Sequence, residues 1–228
     1  IVACGTAYHV GVVAKYAFEE LLRIPVEVDV ASEFRYRDPI LNENTLMIII
    51  SQSGETADTL AALREAKRAG CRVLSVVNVV GSTIATESDD VLYTWAGPEI
   101  SVASTKAYST QLAVIYLLAL YIGEQLGKFT QEQLSAYIAA LEKLPEQIDE
   151  MLKHKENIQF FASKYFNASD MYFIGRNVDY AASLEASLKL KEISYIHSEA
   201  YAAGELKHGP ISLIEDGTLV IALATDAR

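Results

Sequence analysis

Residues 45–50 read Thr-Leu-Met-Ile-Ile-Ile, an unbroken apolar run that passes directly into Ser51-Gln52-Ser53-Gly54-Glu55-Thr56 and then into a helix-like segment. A short strand with no polar alternation is one buried on both faces, as in a parallel sheet covered by helices. The segment 57–70 carries Leu60, Leu63, Ala66 and Lys67 at helical spacing, and Gly70 is a stop signal. The order is therefore strand, polar turn, helix. A helix start offers unpaired N–H groups and a partial positive charge, so such a turn holds an anion without any basic side chain. Ser51, Ser53 and Thr56 add hydroxyls, and Gly54 allows close backbone approach. A helix cap alone would also use Ser or Thr here, but one cap needs one hydroxyl and this turn supplies three.

A chain of 228 residues, 51% hydrophobic, has room for one large α/β domain or two small ones. A net charge of −11 disfavours binding to nucleic acid or to an anionic membrane, since both need a positive surface. The longest apolar stretch, 112–122, is too short to span a bilayer, and the N-terminal residues lack the basic leader of a signal peptide. Neither a membrane anchor nor a signal peptide is expected. Cys4 and Cys71 each lie at the edge of an apolar strand and read as buried reduced thiols. His9, His154 and His197 have no metal-ligand spacing around them, and neither a metal nor another cofactor is called for.

Strands are expected at 1–3, 26–29, 45–50, 72–77, 91–93, 171–174 and 218–223, alternating with helical segments. Helices are expected at 104–123 and at 131–164, the second broken near Pro145. Met171-Tyr172-Phe173-Ile174-Gly175 then echoes Ile1-Val2-Ala3-Cys4-Gly5. The echo persists at a shift of 172 positions: Tyr8 and Tyr180, Ala14 and Ala186, Glu20 and Glu192, Glu27 and Glu199, Ala31 and Ala203, Glu33 and Glu205. Such an internal repeat implies a duplicated α/β unit, with a first unit over 1–128, a helical connector over 129–166 and a second unit over 167–228. The second copy ends just after its third expected strand, which suggests a fragment of a longer protein.

The motifs resemble the sugar-isomerase (SIS) domains, and more closely the isomerase half of the glutamine:fructose-6-phosphate amidotransferase family. The matching residues are Cys4-Gly5-Thr6, Ala31-Ser32-Glu33-Phe34-Arg35-Tyr36, Ser51 through Thr59, Val102-Ala103-Ser104-Thr105-Lys106, Leu188 through Tyr195, and Glu199 through Pro210. The resemblance implies duplicated three-layer α/β/α units with parallel, flavodoxin-like sheets, the second unit incomplete. It also implies a homodimeric enzyme that turns fructose 6-phosphate and glutamine into glucosamine 6-phosphate and glutamate.

By the same resemblance, the sugar phosphate sits on Ser51, Gln52, Ser53 and Thr56, and its hydroxyls on Thr6, Val102 and Ser104. Glu192 matches the proton-shuttling base, Lys189 the charge that steadies an enediolate, and His208 the ring-opening acid/base that reaches the partner's site. On spacing alone, Lys189 and Glu192 also read as an exposed helical ion pair, and His208 before Gly209-Pro210 as a turn residue. Ala7 stands where the family often has serine, so its contact is lost or passes to a backbone N–H. The family's glutaminase domain and C-terminal tail have no counterpart in these residues, so little isomerase turnover is expected of them alone. A sugar-phosphate-sensing SIS module is the alternative; it would need the polar turn but not Glu192 or His208. A phosphosugar isomerase acting alone is disfavoured by the repeat and by the Lys207-His208-Gly209-Pro210 element.

Overall fold

A computed structural model describes residues 1–225; Asp226, Ala227 and Arg228, at the end of the expected second copy, lie outside the described residues. The chain divides into two compact units, 1–119 and 120–228.

In the first unit, β1 (Val2–Ala3), α1 (Gly5–Leu22), β2 (Asp29–Val30), α2 (Ala31–Phe34), β3 (Leu46–Ser51), α3 (Ala57–Arg68), β4 (Arg72–Val77), α4 (Thr83–Glu87) and β5 (Asp90–Tyr93) alternate, and α5 (Lys106–Gln125) begins after them and carries the chain past residue 119. The five strands pair in parallel in the order β2-β1-β3-β4-β5. β3 is central, and its buried residues 47–51 explain the apolar run. Met47 and Ile49 join the core with Ala62, Leu63 and Ala66 of α3 and Ile84 of α4. Ile48 and Ile50, alternating with them, are just as buried. Helix α3 ends where expected, because Gly70 takes a left-handed φ of +81° and its N–H reaches the Lys67 carbonyl at 3.0 Å.

This strand order reverses direction between β1 and β3, and open parallel sheets bind ligands outside the carboxyl ends of the strands at such a switch point. The chain leaves β1 through Cys4-Gly5-Thr6-Ala7 and leaves β3 through residues 52–56.

The second unit holds α6 (Gln131–Leu152), α7 (Lys155–Tyr165), β6 (Asp170–Gly175), α8 (Val178–Ser194), β7 (His197–Ala202), two 3₁₀ turns (Glu205–His208 and Pro210–Leu213) and β8 (Leu219–Ala222). Its parallel sheet runs β7-β6-β8, the same order as β2-β1-β3. The pairing Ala3 with Val30 in the first sheet recurs as Gly175 with Ala202 in the second, the shift of 172 seen in the sequence.

Several expectations need correction. The helix does not break near Pro145: α6 runs through it, and the chain breaks at Lys153 and His154 instead. Strong helix formers on both sides, Leu141 to Leu144 and Glu146-Gln147, carry the turn across one missing N–H. The strand β7 was not foreseen, and β2 begins at Asp29 where 26–29 was expected. Both are edge strands and lack the continuous apolar run that betrays a central one. Cys71 is buried, as expected, and burial pushes its thiol pKa up. Cys4 is only half-buried; neither cysteine forms a disulfide.

Candidate functional site

Within the first unit, a cavity of about 200 Å³ is lined by Cys4, Thr6, Ala7, Ile50, Ser51, Gln52, Ser53, Thr56, Thr59, Ser104 and Gln111. It lies at the carboxyl ends of β1 and β3, the switch point of the sheet. Its volume falls below the roughly 300–1,000 Å³ of pockets for drug-sized ligands, which suits a small polar molecule. None of the lining residues is basic.

The turn after β3 is held open from within. Ser51 Oγ accepts the buried Gly54 N–H at 3.1 Å, and Ser53 Oγ accepts the Glu55 N–H at 3.2 Å. Ser51 Oγ also lies 3.4 Å from the Thr56 hydroxyl. Thr56 is the N-cap of α3, yet its side chain makes no capping bond, so the first-turn amides of α3 are left without a side-chain acceptor from that residue.

Glu55, the acidic residue of the turn, is not among the residues that line the cavity. Its carboxylate accepts the Thr83 N–H and the Thr83 hydroxyl, each at 2.8 Å, at the start of α4. These bonds, the backbone one first, hold its pKa below the ordinary carboxylate value. Gly54, at φ +69°, makes the turn that sends Glu55 there, and its carbonyl accepts the Ile84 N–H at 3.0 Å.

Seven of the candidate substrate contacts therefore converge on one cavity: Thr6, Ala7, Ser51, Gln52, Ser53, Thr56 and Ser104. Val102 is not among the lining residues and is 97% exposed. Sequence reasoning missed Cys4, Ile50, Thr59 and Gln111. Thr59 was within reach of it, because it lies one turn beyond Thr56 on α3; its hydroxyl donates to Cys4 Sγ at 3.7 Å. Gln111 also left a signal, as a lone amide in the buried stripe Ala107, Gln111, Ile115, Ala119.

Lys189, Glu192 and His208 belong to the second unit. Lys189 pairs with Glu192 one turn on along α8 and lies 3.5 Å from Glu185, whose side chain is buried. The lysine side chain is itself only 18% exposed, so this is not the solvated surface pair that spacing alone allowed. His208 ends the first 3₁₀ turn and is exposed, followed by Gly209 at φ +140°. At the base of α8 the buried Asp179 accepts the Thr225 N–H at 2.8 Å and the Thr225 hydroxyl at 2.6 Å. Among the described residues no group of three or more His, Cys, Asp or Glu is placed to hold a metal ion, and no helix is long and apolar enough to cross a membrane.

The SIS domain family matches residues 1–121 and 164–228 of this chain. The chain belongs to the SIS-domain family. This SIS chain is 63% identical over 225 residues to the glutamine–fructose-6-phosphate aminotransferase (isomerizing) of Caldanaerobacter subterraneus subsp. tengcongensis, covering 99% of itself and 37% of that relative. It is 64% identical to the enzyme of the same name from Clostridium tetani, with the same coverage. It thus spans about 37% of the length of these curated relatives. Its fold matches the C-terminal domain of glucosamine-fructose-6-phosphate aminotransferase from Francisella tularensis with a TM-score of 0.94 at 41% identity, over 97% of this chain and 62% of the other. A putative phosphosugar isomerase from Silicibacter pomeroyi matches with a TM-score of 0.84 at 32% identity, over 99% and 66%.

Proposed function

We propose that this SIS chain binds fructose 6-phosphate and its product glucosamine 6-phosphate, and serves as the isomerase portion of an enzyme that adds glutamine-derived ammonia to the sugar. The observation that carries the reading is the cavity at the sheet's switch point, walled by hydroxyls and a helix start and free of lysine and arginine among its lining residues. The naming of relatives at 63% and 64% identity supports the choice of sugar.

In this reading the phosphate oxygens accept from Ser51, Gln52, Ser53 and Thr56. The sugar hydroxyls are met by Thr6 and Ser104 and by the backbone at Val102, while Ala7 offers only its N–H. Ring opening is assigned to His208. Glu192 moves a proton between adjacent carbons through an enediol, and the ammonium of Lys189 steadies the negative charge that develops there. Glu185 lies 3.5 Å from that ammonium and Glu192 pairs with it, so the lysine is held in place by two carboxylates. The working form is a homodimer in the cytoplasm, binding neither nucleic acid nor membrane.

A sugar-phosphate sensor would need the cavity alone. The half-buried cluster of Lys189 between Glu185 and Glu192 favours the enzyme, because a sensor gains nothing from a lysine held between carboxylates. Calorimetric titration with fructose 6-phosphate tests the reading. Wild type should bind, Ser51→Ala/Ser53→Ala should lose at least tenfold in affinity, and Glu192→Gln should bind nearly as well as wild type. A double variant that binds like wild type would remove the turn from the site.

A further inference from the structure

The turn after β3 does not account for every polar group in the cavity. Gln111 projects from a different element, α5, is 2% exposed and lines the cavity wall. Its Oε1 is out of contact with water and has no hydrogen-bond partner, and the hydroxyl oxygen of Ser104, which also lines the cavity, has none either. Its neighbours in the stripe, Ala107, Ile115 and Ala119, are all apolar. Packing of α5 would be served as well by methionine or leucine, and a buried carboxamide without a partner is a standing cost to the fold.

We propose that Gln111 is a specificity-determining residue, which pairs through its carboxamide with a hydroxyl of the bound sugar phosphate. The inference rests on the proposed binding of a phosphate ester in this cavity and adds which part of the ligand is read, and by what. A carboxamide both donates and accepts, and so does a hydroxyl. A phosphate dianion only accepts, so it leaves a carboxamide oxygen unpaired wherever it lies. The two requirements are therefore separate. The hydroxyls and amides of residues 51–56 suit the anion, whereas Gln111, with Ser104, suits the polyol. The cavity then selects phosphate esters that carry free hydroxyls over inorganic phosphate and over simple alkyl phosphates. A site built to pair with a hydroxyl rejects an analogue lacking it more strongly than an apolar pocket can, because its own polar groups stay unpaired.

Gln111→Met keeps the length and removes both polar atoms. This variant should melt no lower than wild type, bind inorganic phosphate within twofold of wild type, and bind fructose 6-phosphate about tenfold to a hundredfold more weakly. Unchanged fructose 6-phosphate affinity in a variant that still binds phosphate would overturn the role of Gln111. A measurement on unaltered protein covers a variant that fails to fold: wild type should bind fructose 6-phosphate at least tenfold tighter than hexyl phosphate. Equal affinities would equally overturn the proposal. If wild type binds neither ester nor inorganic phosphate, the phosphate reading of the cavity fails first and this inference falls with it.

Discussion

Gly54 and Ser82 approach so closely that a side-chain carbon on the glycine would fall within the serine hydroxyl. Gly54 also sits at φ +69°, where any L side chain is strained. The turn that faces the cavity thus depends on two properties of one glycine. Gly54→Ala is expected to cost at least about 1–2 kcal/mol of stability and to lower fructose 6-phosphate affinity at least tenfold, as read by thermal melting and calorimetry.

The hydroxyls of the turn should not contribute equally. Ser51 is 3% exposed and is the acceptor for a buried N–H, so Ser51→Ala leaves that group unpaired at a cost of about 1–3 kcal/mol. The Ser53 bond is exposed, and water replaces it. Ser51→Ala should lower the Tm by several degrees and Ser53→Ala by about a degree or less. Equal shifts would mean that Ser51 is not what holds the turn.

Much of this was readable beforehand, and the reasons differ by element. Residues 45–50 announced a central strand because both faces of β3 are covered, and the polar run after them supplies four of the residues that line the cavity, Ser51, Gln52, Ser53 and Thr56. The strand β7 stayed hidden because an edge strand needs no unbroken apolar run. Pro145 misled because a proline removes one hydrogen bond but does not end a helix whose neighbours favour it. The direction of Glu55 was not legible at all, since it depends on Thr83, 28 residues away.

The repeat supplies a further test. Asp179 and Ala7 occupy corresponding positions, 172 apart, in the first turns of α8 and α1. In the second unit the Asp179 carboxylate takes up the N–H and hydroxyl of Thr225, just beyond β8; in the first unit Ala7 lines an open cavity beside the turn that follows β3. Ala7→Asp should place an internal anion against that turn and reduce inorganic phosphate and fructose 6-phosphate affinity alike, by tenfold or more, with the fold retained. Asp179→Ala, by contrast, should lower the Tm, because it strips a charged acceptor from two donors at a cost of about 1.5–3 kcal/mol.

The response to acid has a defined sign. Glu55 has a folded pKa below its ordinary value because Thr83 bonds its ionised form. A depressed carboxylate stabilises the fold above its unfolded pKa and loses that contribution as pH falls through the folded one. Glu87, Asp89 and Asp90 are depressed in the same direction, chiefly by side-chain hydrogen bonds from Arg64, Lys67 and Arg72 respectively. Stability should hold at neutral pH and decline from about pH 4 downward. In Glu55→Gln that decline should be shallower, as followed by melting temperature against pH.

The central claim is that a turn rich in hydroxyls at the start of α3 binds the phosphate of a sugar ester without a basic side chain. A crystal structure of the chain soaked with fructose 6-phosphate measures this directly. Phosphorus density is expected close enough to residues 51–56 for the phosphate oxygens to accept from their amides and hydroxyls. Phosphate density on the lysines or arginines of the surface, with the cavity holding only solvent, would contradict it.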